Sequence, residues 1–291
     1  MEPLQAIIAA SDFSENARQA ALRAALISRE QKMPGRLLHV VEPALLDTLR
    51  RFAGLSEDRL HTMREQTGQS LKALADDIQQ ETGNALAPDL LDGQILETLA
   101  VYSDASTLVV IGAKGSHIVR DFLVGSTARR LLYKSRGPVL VVKQPARTLY
   151  RNILVATDFS DYSLHALQRC HQLFPDSQLH IAHVAGALID NRMTYAGVAD
   201  NLLDECRKQS ISKAEAEMAT FLQDAGIDKS QVNIMLDNGY PPLLLQQMAG
   251  QVGAELIVTG KKGQSALGDK LLGGVSQHLL QECSTDLLIQ H

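Results

Sequence analysis

Ile7–Ser14 reads IIAASDFS, and Ile153–Ser160 reads ILVATDFS. Five of the eight positions are identical at an offset of 146 residues, and in each copy a short apolar run leads into Asp-Phe-Ser. Further out, Thr107–Gly115 (TLVVIGAKG) returns as Glu255–Gly263 (ELIVTGKKG), with five identities in nine at an offset of 148. Phe122–Leu132 (FLVGSTARRLL) aligns at that same offset with Lys270–Leu280 (KLLGGVSQHLL), with four identities in eleven. Blocks that keep their order and spacing mark an internal duplication. A chain of 291 residues suits that reading, because one hydrophobic core seldom grows beyond roughly 250 to 300 residues. The join falls in the polar, Pro-containing stretch QPARTLY, Gln144–Tyr150, which gives domains 1–146 and 147–291.

Within each copy, β-branched apolar runs alternate with longer segments of helical period, the pattern of βαβ units and a parallel sheet. In copy one, strands are expected over residues 6–10, 36–41, 86–91, 107–111 and 138–143. Helices are expected over 14–29, 57–82, 93–103 and 126–135, with Ser14 and Ser126 as N-caps. Copy two echoes the plan. Runs such as PVLVV (138–142) and LVVIG (108–112) are apolar throughout, as strands covered on both faces are. The fold expected is therefore α/β, doubly wound, twice over.

A net charge of −5 and a pI near 6.0 provide no basic field for nucleic acid or anionic lipid. Cys170, Cys206 and Cys283 form no CxxC pair, so neither a disulfide framework nor a zinc knuckle is expected. The N-terminal stretch lacks a signal-peptide pattern and no run approaches 18 apolar residues, which places the chain in the cytoplasm as an expectation. Walker, GxGxxG, GxSxG and HExxH motifs are absent, so no catalytic residue is nominated and hydrolysis is expected to be slow at most. His180 and His183 lie three apart on an expected strand, where odd separations face opposite ways. Neither they nor His39, which matches His183, are expected to hold a metal or do catalysis.

In a doubly wound sheet, ligands collect beyond the carboxyl ends of the strands where strand order reverses, which points to the loops after strands one and four. After strand four come Gly112, Gly115 and Gly125 with spacings of two and nine residues, then Ser126 and Thr127. Such glycines let backbone NH groups approach an anion, and a helix N-terminus supplies further donors. Turn punctuation is the plainer reading of a lone GxxG, but copy two repeats the spacing at Gly260, Gly263 and Gly273. Asp12 and Asp158 have two readings: helix caps, or carboxylates for a sugar hydroxyl or an adenine edge. Lys114 and Arg120 are either ligand contacts or solvated charges, and the same holds for Lys261, Lys262 and Lys270.

Taken together, DFS, HVVE (39–42), IGAKG (111–115), GSTARRLL (125–132) and GPVLVV (137–142) make the chain resemble a universal stress protein over most of its length. The resemblance implies two Rossmann-like domains of the adenine nucleotide alpha hydrolase type, each a five-stranded parallel sheet in the order 3-2-1-4-5 with helices on both faces. It implies ATP as ligand, with Mg2+ as its accompanying ion. Asp12 and the backbone of Val40 would hold the adenosine, and Gly115, Gly125, Ser126 and Thr127 the phosphates, with Gly112 completing the glycine signature and Lys114 and Arg120 as the further candidate contacts. In copy two, Gly274 and Val275 replace the two hydroxyl residues, so Asp158, Val184, Gly260, Gly263 and Gly273 would line a weaker site. The resemblance also implies pairing of the two copies through their final strands, or a homodimer. The alternative kept beside it is a stress scaffold that binds protein partners without nucleotide.

Overall fold

The computed structural model describes residues 2–53, 56–114, 124–185, 200–263 and 272–291. The chain divides into two compact units, Met1–Leu149 and Tyr150–His291, a few residues beyond the join expected at Arg147. Unit 1 runs β1 (Ala6–Ala10), α1 (Glu15–Gln31), β2 (Gly35–Val41), α2 (Pro43–Ala53), α3 (Glu57–Thr82), β3 (Ala87–Asp92), α4 (Ile95–Tyr102), β4 (Thr107–Gly112), α5 (Ser126–Lys134) and β5 (Val139–Val142). Its strands are all parallel in the order β3-β2-β1-β4-β5. Helices α1 and α3 pack together on the sheet, as α4 and α5 pack against each other. Helix α2 was not among the expected elements; it opens on Pro43, and Pro is well placed in a first helical turn, where its missing NH is no loss.

Unit 2 repeats the plan with β6 (Asn152–Ala156), α6 (Asp161–Leu173), β7 (Gln178–Ala185), α7 (Asp200–Ala225), β8 (Val232–Asn238), α8 (Pro241–Gln251), β9 (Leu256–Gly260), α9 (Gly274–Glu282) and β10 (Asp286–Gln290). Its parallel order is β8-β7-β6-β9-β10, the same 3-2-1-4-5 winding. Among the described residues no helix is long and apolar enough to cross a membrane.

The central strands are covered on both faces: Ile7, Ile8 and Ala9 of β1 and Leu108, Val109 and Val110 of β4 are buried. Helix α1 lays an alanine face on them, with Ala17, Ala20, Ala21, Ala24 and Ala25 all buried. Small side chains bring its backbone close to the sheet. At Gly112 a Cβ would stand 2.7 Å from the Asn16 carbonyl carbon and oxygen, well inside van der Waals contact. Gly112 is thus required by packing, a role distinct from the anion approach expected of it. Gly260 matches it, with a Cβ position 2.8 Å from the Tyr162 backbone.

His180 and His183 serve different neighbours, as their spacing requires. His180 Nδ1 accepts from Asn233 Nδ2 at 3.1 Å, and burial pushes its pKa below the ordinary 6.5. The unfolded chain then takes up this proton before the folded one, so the contribution is fully present above pH 6.5 and is lost as pH falls through the lowered value. Unit 2 is expected to lose denaturant resistance as pH falls below 6.5, and to lose it less steeply in a His180→Gln variant. Equal slopes in the two proteins would contradict this.

Candidate functional site

Beyond β1 the chain ties a small knot. Asp12 Oδ1 accepts from Ser14 N at 3.0 Å, and Ser14 Oγ in turn caps α1 by accepting from Ala17 N at 3.2 Å. Phe13 between them has φ of 63°, a left-handed conformation that costs a bulky residue about 1–3 kcal/mol and is kept only where surroundings impose it. The surroundings are visible: Ser11 Oγ accepts from Phe13 N at 3.1 Å, and the Phe13 ring lies 4.5 Å from the His39 ring. His39 Nδ1 stands 2.7 Å from the Ser11 carbonyl oxygen. A carbonyl only accepts, so Nδ1 carries the proton. The knot leaves Asp12 exposed at the carboxyl end of β1.

In front of Asp12 opens a cavity of about 570 Å3, within the roughly 300–1,000 Å3 of small-molecule sites. One part of its wall is apolar, made by Leu38, Val40, Ile95, Leu99 and Ile111. The other is polar, made by Lys114, Gly125, Ser126 and Thr127. There α5 begins with Gly125 as N-cap at φ −70° and ψ 162°, without a side-chain cap. Gly125 N donates to Ala113 O at 2.7 Å, fixing the helix start to the end of β4. The amides of the first turn and the positive end of the helix dipole therefore border the cavity, an arrangement that favours an anion.

Of the residues singled out in copy one, Asp12, Val40, Gly112, Lys114, Gly125, Ser126 and Thr127 all line this one cavity. Gly115 and Arg120 lie outside the described residues. The N-cap expected at Ser126 is Gly125 instead, with Ser126 as the first helical residue and exposed. Residues not singled out as site residues also line the cavity: Ser11, His39 and Glu42, and Met63, Arg64 and Thr67 from α3. Glu42 Oε1 accepts from Ile95 N at 3.5 Å, at the start of α4, which supplies Ile95 and Leu99 to the apolar wall. HVVE carried the signal for His39 and Glu42; the α3 residues belong to no motif.

Unit 2 keeps the knot and changes the polar end. Ser160 N and Oγ donate to Asp158 Oδ1 at 3.2 and 2.6 Å, Phe159 has φ of 62°, and His183 Nδ1 donates to Thr157 O at 2.8 Å. Gly263 packs so closely on Asp158 that a Cβ there would collide with Oδ2. Helix α9 starts at Gly274 with Gly273 as N-cap and no side-chain cap, so the amides persist without the hydroxyls. Val184 is buried near the end of β7. Lys261, one of the lysines weighed as a solvated charge, is 6% exposed, because the chain continues past β9 beside β10 and Lys261 N donates to Gln290 O at 2.6 Å. Burial, then Lys262, pushes its pKa down to about 8, and its Nζ donates to His291 Nδ1 at 3.1 Å. Lys262 Nζ sits 5.8 Å from the centre of the Tyr162 ring. Lys270 and Gly115's neighbours up to 123 lie outside the described residues.

Comparison with known proteins places the chain. The sequence model of the universal stress protein family matches twice, over residues 3–143 and 149–291. A universal stress protein of Mycolicibacterium smegmatis is 25% identical over 266 residues, covering 88% of this chain and 86% of that protein. Universal stress protein YxiE of Bacillus subtilis is 28% identical over 147 residues, 48% of this chain and 99% of its own length. Among solved structures, a universal stress protein from Archaeoglobus fulgidus superposes with a TM-score of 0.65 at 18% identity, over 98% of this chain and 95% of that one. A putative universal stress protein from Pseudomonas aeruginosa gives 0.64 at 17%, over 99% and 93%. At these identities the structural likeness is one of fold.

Proposed function

The chain belongs to the universal stress protein family, and from that premise we propose that unit 1 holds ATP, or a closely related adenine nucleotide, and acts in the stress response through that occupancy. The observation that carries this reading is the single cavity in which an apolar wall, the Asp12 carboxylate and an uncapped helix start with two hydroxyls come together. The base would lie on Val40, Ile95 and Leu99, the sugar would meet Asp12, and the phosphates would take the first-turn amides of α5 with Ser126, Thr127 and Lys114. Any Mg2+ would be carried by the phosphates.

Retention rather than turnover follows from the lack of any hydrolase motif in the sequence. Among the described residues Asp12, His39 and Glu42 each hold a backbone group through one polar atom, which orders the cavity wall. Occupancy would change shape or partners, with hydrolysis slow at most.

A second reading applies to unit 2. Asp158 lies against Gly263, and Gly274 and Val275 bring no hydroxyl, which favours a folded scaffold without nucleotide. Mass spectrometry of ligand released by denaturing the purified chain is therefore expected to give one adenine nucleotide per chain. Two per chain would defeat the scaffold reading of unit 2. No nucleotide, together with no binding of MgATP at millimolar concentration, would defeat the reading of unit 1.

A further inference from the structure

Helix α3 is one helix in geometry and two in anchorage. Its 26 residues begin at a Ser56 cap and end at Gly83 with φ of 71°. All its buried side chains, Leu71, Ala75, Ile78 and Thr82, lie in the C-terminal half. That half is further clasped by Arg18 of α1, which reaches Asp77 and Glu81 at 2.7 Å each. The N-terminal half buries none, yet it supplies Met63, Arg64 and Thr67 to the cavity wall. Among the described residues it is tied across the fold by the ion pair of Arg64 with Asp92 at the end of β3, with Arg50–Glu57 at 2.8 Å linking its first turn to α2. Exposed pairs of this kind hold weakly and are screened by salt.

Between the halves stands Gly68. A Cβ there would come no nearer than 3.7 Å to anything, the Leu90 side chain, so no close approach demands glycine. What glycine does in a helix interior is weaken it, through the freedom it regains on opening. A weak point sits where the buried anchorage ends and the cavity wall begins.

We propose that residues 57–67 are a lid over the cavity, hinged at Gly68 and latched by Arg64 to Asp92, whose opening sets how fast the ligand enters and leaves. The hinge is a property of the ligand-free protein; its role in ligand traffic rests on the nucleotide reading of unit 1.

The two parts are tested separately. In hydrogen exchange on the full, ligand-free chain, amides of 61–67 are expected to exchange at least roughly a hundredfold faster than those of 71–82. Equal protection along α3 would overturn the hinge. Stopped-flow release of a fluorescent ATP analogue then reads the latch. Asp92→Asn, which alters no residue of the cavity wall, is expected to speed release about threefold. Gly68→Ala, whose methyl has room, is expected to slow it about fivefold. An Arg64→Gln/Asp92→Asn double variant should release no faster than Asp92→Asn alone, because the latch is already open. Release rates unmoved by both Asp92→Asn and Gly68→Ala would overturn the lid, and a further acceleration in the double variant would make Arg64 a direct ligand contact instead. Failure of the parent chain to bind the analogue would remove the nucleotide reading and the traffic role together, while the exchange contrast still decides the hinge.

Discussion

A Gly125→Val chain is expected to bind ATP about a hundredfold more weakly than the parent while remaining folded. Gly125 has φ of −70° and ψ of 162°, an extended conformation that valine adopts readily, so the backbone gains no strain. Its bond to Ala113 O uses the amide and survives. Glycine is the better N-cap of the two, which costs the variant about 1 kcal/mol of stability. Binding is another matter, because an isopropyl group at the helix start stands where the phosphates would approach the amides of α5. Loss of two hydrogen bonds to a charged group, each worth about 1.5–3 kcal/mol, corresponds to a hundredfold or more in Kd. Calorimetric titration of both proteins, with circular dichroism to show the fold intact, decides the matter. Unchanged affinity in a folded variant would sink the proposed phosphate end.

Gly112→Ala is expected to act on the fold itself. Its added carbon would meet the Asn16 carbonyl at 2.7 Å and the Ala17 amide nitrogen at 2.9 Å. These are backbone atoms of α1, which cannot rotate aside as a side chain would. The helix must lift from β4, and because its buried face is built of alanines there is little side chain to re-pack into the gap. Overpacking usually costs 1–3 kcal/mol, and rigid neighbours put this case near the top, at about 3 kcal/mol. Urea denaturation monitored by circular dichroism reads it directly; a variant as stable as the parent would show that α1 yields more easily than its packing implies. The contrast between the two glycines matters: one caps the helix whose start borders the cavity, the other holds a helix to the sheet.

That contrast was not legible in the sequence, where Gly112 and Gly125 sit in one spaced signature. Spacing records which residues recur together, whereas the atom opposite a missing Cβ is a tertiary fact. The strands and α3 were legible because their signal is periodicity: a run such as LVVIG is apolar on both faces and GPVLVV is bounded by turn residues. The start of α5 at residue 126 was legible, but its cap was off by one residue, since Gly125 serves as the cap and Ser126 is exposed as the first helical residue. The apolar wall and polar end of the cavity were half legible, through motifs on β1, β2 and α5. Met63, Arg64 and Thr67 were not, because a helix that crosses above a crevice carries only its own period. For Lys261 the sequence left a ligand contact and a solvated charge side by side, and only the extension beside β10 shows that it is buried.

The knot of Asp, left-handed Phe and capping Ser occurs in both units with the same His donating to the carbonyl beneath it. Its strain is therefore spent twice, and in unit 2 it persists where the hydroxyls of the polar end do not. A device retained without that chemistry is part of how the winding closes after the first strand. Each unit is thus a reference state for the other: what Asp12 and Asp158 share is architecture, and only a difference between them can report on a ligand.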